Sequence, residues 1–444
     1  CFRFRNVRAL LADDDAELAF VLNRQLRLSA SVDLMKALGG IEQKLAAFEE
    51  QAKGEIKTVG AMGAVPALST DFYLPGFPAI ASDLSVSLEQ MQLTLAASFF
   101  GLGVGQLIYG PISDRYGRRI PAMIGLALFA LGSFICTLAQ SFEILMLARL
   151  FQGLGGAAAV VISRAIVRDL YEGKEMARKM SAIQSIITIS PTIAPTIGAL
   201  ILIYADWRWI FALLAVLGLI IWIAIWRLPE SLAPANRNQH NLSAALRSYG
   251  QLLKDPEYRT NTLQVFFNSL LLFAYVVSAP AIYMGQFKLS GSALGVIFGA
   301  TAVALFLGSQ FNRTLLKKFS IEGILNTAIW IQVGLVTTLM AVTLFAPNLY
   351  AVIFLQMATI AVCAPISTNG MTLALKHYSH KAAAASAVIG TLQHGSAAVM
   401  GTILTAVAAA PLLRMSGGMM AASICAIAIM LIRGMQIKKQ EARA

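Results

Sequence analysis

Charge is scarce in this chain: Asp, Glu, Lys and Arg make up 13% of its 444 residues, while hydrophobic residues make up 57%. So thin a polar complement excludes a soluble globular protein, in which about a quarter of residues are charged. Four cysteines, Cys1, Cys136, Cys363 and Cys425, are too few and too widely spaced for a disulfide framework or a metal site, and they read as small apolar packing residues. No Gly-x-x-x-x-Gly-Lys-[Ser/Thr] loop occurs, so nucleotide hydrolysis has no sequence basis and no cofactor is expected. Nor is there a His/Cys/carboxylate cluster with metal-ligand spacing, or a nucleophile with a paired base, so membrane-enzyme chemistry is not expected either.

What the chain does have is apolar runs of about twenty residues, the length needed to cross roughly 30 Å of hydrocarbon. They are expected near 58–82, 92–112, 118–138, 143–166, 180–204, 209–228, 262–284, 291–312, 322–346, 348–374, 383–409 and 416–435. The fold class that follows is an all-α membrane protein of twelve spans, with the lipid bilayer as its main solvent. A net charge of +12 does not indicate nucleic acid, because the basic residues sort by loop instead of forming one patch. Even-numbered loops and the C-terminal tail hold nearly all of those outside the N-terminal segment, whereas odd-numbered loops hold Arg208, Lys288 and Arg414. By the positive-inside rule, the even loops and both termini lie in the cytoplasm. The organisation expected is an N-terminal segment 1–57, a six-helix half 58–228, a basic cytoplasmic central loop 229–261, and a second six-helix half with a short basic tail, 262–444. Residues 1–57 are polar and helix-prone, neither span nor signal peptide, and read as a fusion or a fragment with no assigned function.

The sharpest motif is Gly110 to Arg119, GPISDRYGRR, in the first cytoplasmic loop. Gly110 and Gly117 permit a tight turn and close helix approach. Asp114 can accept from a helix N-terminus, and Arg115, Arg118 and Arg119 can pair with carboxylates of neighbouring helices, which makes a conformational latch. A second signal is electrostatic: of all the acidic residues, Asp71 alone falls well inside an expected span. A carboxylate at bilayer depth costs several kcal/mol to bury and is kept mainly where it titrates, pairs or lines a cavity. Asp71 is therefore the expected proton carrier. Arg149, about six residues into the fourth span, is its expected partner and the cation available to a central cavity. A static Asp71–Arg149 pair is the competing reading.

The latch resembles the signature loop of the major facilitator superfamily, with Ile112 in the usual leucine place. The resemblance extends to LARLFQGLGGAAA (Leu147 to Ala159) around Arg149 and to the antiporter motif SPTIAPTIGA (Ser190 to Ala199). LSTDFYLPGFPAIASDL (Leu68 to Leu84), RAIVRDL (Arg164 to Leu170), GSQFN (Gly308 to Asn312) and NGMTLAL (Asn369 to Leu375) are similar to the Bcr/CflA-type drug-resistance exporters. Two departures stand out: Thr368 occupies a usual proline place, and the second-half copy of the signature loop, Gly308 to Lys318, has lost its aspartate. The resemblance implies the major facilitator fold, a bacterial inner-membrane location and proton-driven export of small lipophilic or amphipathic molecules, with the latch stabilising the outward-open state. The partners implied are a small-molecule substrate and protons, and the chain is expected to act as a monomer.

Within that reading, Pro191, Pro195 and Gly198 are expected to break and bend the fifth span, as Pro75 and Pro78 bend the first. Phe72, Tyr73, Phe99, Gln106, Phe267, Asn268, Tyr275 and Asn369 are substrate-cavity candidates, since rings with a few polar groups suit lipophilic ligands. Most lone aromatics in spans merely pack, so half of these at most are expected to line a cavity. His394 reads equally as a proton relay or a hydrogen-bonded packing residue. Two rival functions remain: a proton-coupled exporter of a metabolite such as an amino acid or sugar, and a non-transporting membrane sensor or partner-binding protein.

Overall fold

A computed structural model of the chain describes residues 58–237, 242–378 and 382–441. The N-terminal segment 1–57 lies outside the described residues. The first span is helical over 58–71 (α1), turns through a short 3-10 segment at Leu74–Gly76, and resumes as α2, Phe77–Asp83. Pro75 and Pro78 have no N–H to continue the helical ladder, and the interruption falls directly after Asp71.

The helices that follow are α3 (Leu88–Tyr116), α4 (Arg119–Thr137), α5 (Phe142–Leu170), α6 (Gly173–Tyr204) and α7 (Arg208–Arg227). Beyond the central connection come α8 (Leu242–Lys254), α9 (Pro256–Ala279), α10 (Gly291–Leu315), α11 (Ile321–Phe345), α12 (Leu349–Leu375), α13 (Ala382–Ala406) and α14 (Pro411–Glu441). Ten helices among the described residues are long and apolar enough to cross a membrane, and α1–α2 and α6 complete the twelve places expected. Several run well past their apolar cores: α6 begins at Gly173 and α9 at Pro256, each taking in polar residues read as loop from hydropathy.

Helix starts follow capping chemistry. Ser87 and Gln90 form a reciprocal capping box on α3, Ser141, Ser290 and Ser320 accept from amides three residues on, and Asn348 accepts from Tyr350 and Ala351. Burial then sorts the helices. The apolar window of α9, continued through a π-helical turn at Pro280–Gln286, is 78% buried and that of α3 67%, whereas α7 and α11 bury only 33% and 28% and present Leu, Ile and Trp side chains outward. The interior is thus built around α3 and α9, and α7 and α11 face lipid.

Small residues set the closest approaches, as expected where no water drives helices together. A Cβ on Gly153 of α5 would collide with the Ser98 carbonyl of α3, and one on Gly198 of α6 with the Phe72 carbonyl of the first span. α3 also packs along α13, and α6 along α10, so these two pairings join early and late helices of the chain. The expectation that Pro191 and Pro195 break the fifth span is corrected: α6 is a continuous helix from Gly173 to Tyr204. Each proline removes one hydrogen bond, and the turns on either side keep the rest of the ladder. The connection expected as a plain loop over 229–261 contains α8 and the first turn of α9.

Candidate functional site

At the cytoplasmic end expected for α3, the latch is a closed set of charge-assisted contacts. Gly117 adopts φ +92°, which places Arg118 beneath the helix ends. The Arg118 guanidinium pairs with Asp114 and reaches Asp169 of α5 at 2.7 Å, and it also donates to Ser113 Oγ at 3.0 Å. Burial works against the Arg118 charge, but the Asp169 and Asp114 carboxylates more than offset it. Glu230, just after α7, accepts from the Arg118 and Arg119 amides at 2.7 and 3.1 Å, so its carboxylate caps the start of α4. Ser231 donates to Asp169, and the Arg119 side chain reaches the Trp226 carbonyl. Arg115 lies over the Tyr116 ring at 5.3 Å. Around Gly110 the space is open.

Sequence reasoning found Asp114, Gly117 and Arg118 but missed two latch members. Asp169 sits within the RAIVRDL stretch and could have been picked out as the acid nearest a cytoplasmic helix end. Glu230 carries no spacing signal, because only the turn after α7 brings it back to α4.

Asp71 ends α1 and is 8% exposed, the one buried carboxylate among the described residues. Arg149 of α5 is fully buried. Its Nη1 donates to the Ser69 carbonyl at 3.1 Å and to the Gln152 side-chain oxygen, and Gln152 donates in turn to Ser133 Oγ at 2.7 Å. Its guanidinium lies over the rings of Tyr73, at 4.7 Å, and Phe211, at 5.9 Å. The structure thus brings Arg149 to the backbone two residues before Asp71, and no ion pair joins the two side chains. With no exposed surface, Arg149 is also not the cavity cation expected of it.

The cavity candidates divide. Tyr73 is fully buried, its hydroxyl 2.7 Å from Thr94 Oγ1 and its ring against Phe77 and Phe211. Asn268 donates to the Cys363 carbonyl and Ser367 Oγ and accepts from Gln332, while Asn369 exchanges amide hydrogen bonds with Asn312 at 2.9 and 3.2 Å. The Tyr275 hydroxyl meets Thr301 Oγ1 at 3.3 Å. These polar groups are used up inside helix interfaces, the economical arrangement where water is absent. Phe72 is buried where α6 crosses the first span, and Phe267 packs on Phe266. Pro195 and Gly198 are buried on that same side of α6, and the Pro191 side chain lies outside the described residues.

Phe99 and Gln106 behave differently, because both lie on the α3–α13 seam. The Phe99 ring is 4.8 Å from Phe273 of α9 and 6.5 Å from His394 of α13, and Gln106 Nε2 lies 3.0 Å from His394 Nδ1. Thr391 of α13 donates to the Gly103 carbonyl of α3 at 3.0 Å. At the opposite end of the bundle from the latch, Arg414 of α14 pairs with Glu89 of α3 at 3.1 Å.

The sequence profile described as Major Facilitator Superfamily matches residues 60–402. The Bacillus subtilis protein named uncharacterized MFS-type transporter YdgK is 35% identical over 347 residues, covering 75% of this chain and 84% of that relative. A Haemophilus influenzae protein named bicyclomycin resistance protein homolog is 30% identical over 379 residues, 84% of this chain and 94% of the relative. Among solved structures, a D-xylose–proton symporter superposes with a TM-score of 0.66 at 12% identity, covering 84% of this chain and 97% of that one, a likeness that speaks to the fold alone.

Proposed function

The chain belongs to the Major Facilitator Superfamily, and from that premise we propose that it is a proton-coupled exporter of small lipophilic or amphipathic compounds, of the Bcr/CflA drug-efflux type. Its relative named for bicyclomycin resistance supports the substrate class, and that relative is matched over nearly its full length. The setting is the bacterial inner membrane, crossed many times, with N- and C-termini in the cytoplasm as the loop charges require. The working unit is a monomer in which helices of 58–228 and 262–444 rock against each other about a midplane site, joined by 229–261.

The observation that carries this reading is Asp71: a carboxylate buried at the point where the first span breaks. Proton and substrate alternate at Asp71, and the broken helix lets that segment respond. Arg149 serves as a fixed positive centre that grips the Ser69 carbonyl, holding the Asp71 segment in register against α5. The Arg118 cluster ties α3, α4, α5 and the start of the central connection together, and its making and breaking accompany the change of facing.

The test is export of a fluorescent dye from inverted vesicles with proton movement recorded in parallel. Wild type is expected to release protons on substrate addition and to accumulate dye against its gradient. Asp71→Asn is expected to lose both, leaving only downhill equilibration. Uphill accumulation by Asp71→Asn with an unchanged pH profile overturns the assignment.

A further inference from the structure

A cation that the loop count places at the cytoplasmic edge turns out to point inward. Arg164 belongs to α5, six residues before its end and 15 residues past Arg149, or about 22 Å further along the helix. Its neighbours Ala165, Ile166 and Val167 are buried, yet Arg164 itself is exposed while lying deep among protein atoms. That combination marks a side chain lining an internal cleft instead of facing lipid. The direction is fixed by α13, on the other side of the seam: the Arg164 charge acts on the His394 ring.

His394 has the same character. It sits midway along α13, surrounded by protein, and keeps accessible surface. A Cβ on the adjacent Gly395 would meet open space. Phe99 and Phe273 supply rings on one side, and Gln106 fixes the imidazole through Nδ1. Among the described residues Arg164 makes no hydrogen bond or ion pair. A guanidinium held in a cleft with its donors unused is an acceptor site for a carboxylate, which takes two parallel N–H···O bonds from the planar fork.

Resting on the export reading above, we infer that Arg164 and His394 form the anion-accepting end of the transport cleft, and that the preferred substrates are amphipathic molecules carrying a carboxylate. The rings of Phe99 and Phe273 take the apolar body, and Arg164 takes the acidic group toward the cytoplasmic mouth. Arg149 cannot play this part, because it is sealed between Tyr73 and Phe211. A phospholipid phosphate presents similar oxygens, and the competition arm below separates the two sources.

The experiment measures equilibrium binding of dansylglycine and of its uncharged amide, dansylglycinamide, to the full chain in detergent, by probe fluorescence with no gradient present. Wild type is expected to prefer the carboxylate by on the order of tenfold, the scale of one charge-assisted pair. Arg164→Gln abolishes that preference, Arg164→Lys keeps part of it, and His394→Gln weakens both probes. Arg227→Gln, an exposed change in the last turn of α7, leaves binding as it was. Unlabelled hippurate displaces dansylglycine, and phosphatidylglycerol added to the micelles does not. Equal affinity of wild type for the two probes, a preference that survives Arg164→Gln, or displacement by the lipid but not by hippurate overturns the inference. Because binding is read without a gradient, failure here is distinct from failure of proton coupling, which the Asp71→Asn vesicle assay reads.

Discussion

The two latch regions of the chain share a layout and differ in chemistry. Gly110 is followed four residues later by Asp114 and then Arg115, and Gly308 is followed four residues later by Asn312 and then Arg313. In the first copy, Asp114 and Asp169 converge on Arg118, and Glu230 caps the adjoining helix. In the second, Asn312 of α10 trades hydrogen bonds with Asn369 of α12, and Arg313 turns back to Gln310 of its own helix. The glycines diverge as well: space is open around Gly110, whereas a Cβ on Gly308 would strike the Ala361 carbonyl of α12. One amide swap changes the physics. A paired set of charges is costly to separate in a dry environment and cheap in water, so it can act as a two-state latch. A reciprocal amide pair holds two helices together with little dependence on water, salt or pH, so it acts as a permanent joint.

The difference can be broken most severely at its charged centre. Arg118→Ala leaves Asp114 and Asp169 facing each other without a counter-charge, and breaking a largely buried pair in this way costs about 3–5 kcal/mol. Thermal unfolding of the purified protein in detergent should show that loss, together with failed dye export, while Arg118→Lys recovers only part because a lysine cannot span both carboxylates. If Arg118→Ala melts like wild type, the cluster is ornamental.

A smaller effect is expected at the neutral joint. Asn312→Leu removes both amide bonds and strands the buried Asn369 side chain, for about 1–3 kcal/mol. The distinguishing readout is salt: the midpoint of wild type and of Asn312→Leu should shift in parallel as ionic strength rises, whereas Arg118→Ala should lose part of the wild-type salt response. A salt dependence that vanishes in Asn312→Leu would erase the contrast drawn between the two copies.

The smallest effect is a pH dependence at the cytoplasmic start of α9. Burial alone would raise the Asp255 carboxyl, but the Tyr378 hydroxyl and the Glu257 and Tyr258 amides hold it below its ordinary value of 3.8. Burial and the same hydrogen bond push the Tyr378 hydroxyl up to about 12. A depressed carboxyl stabilises the fold above its ordinary value and loses that contribution as pH falls through the lowered one. Stability should therefore be flat from neutrality down to about pH 5 and decline below about pH 4, less steeply in Tyr378→Phe. On the alkaline side, the raised Tyr378 hydroxyl keeps its contribution below its ordinary value of 10.0, and it is lost as pH climbs toward about 12. An identical acid limb in wild type and Tyr378→Phe would remove that contact from the account.

Much of the architecture was legible because hydropathy and charge act locally. Apolar runs marked the spans, and Gly, Asp and Arg at fixed spacing marked the latch. Helix ends were misjudged where polar turns extend a span, as at Gly173 and Pro256, since hydropathy reports solvent and not hydrogen bonding. The proline expectation for α6 failed for a related reason: a missing N–H weakens one rung, and tertiary packing decides whether the helix stops.

The sequence by itself determined that the chain lives in lipid, how many times it crosses, and that Asp71 would be a carboxylate at depth, because each follows from transfer free energies read residue by residue. Only the tertiary structure decided what each polar side chain meets. It sealed Arg149 among rings, spent Asn268, Asn369 and Tyr275 on neighbouring helices, recruited Glu230 from across a turn, and left Arg164 facing His394 in a cleft. A helix periodicity gives the face on which a residue lies; which helix that face meets depends on packing among segments far apart in the chain, and that has no local signature.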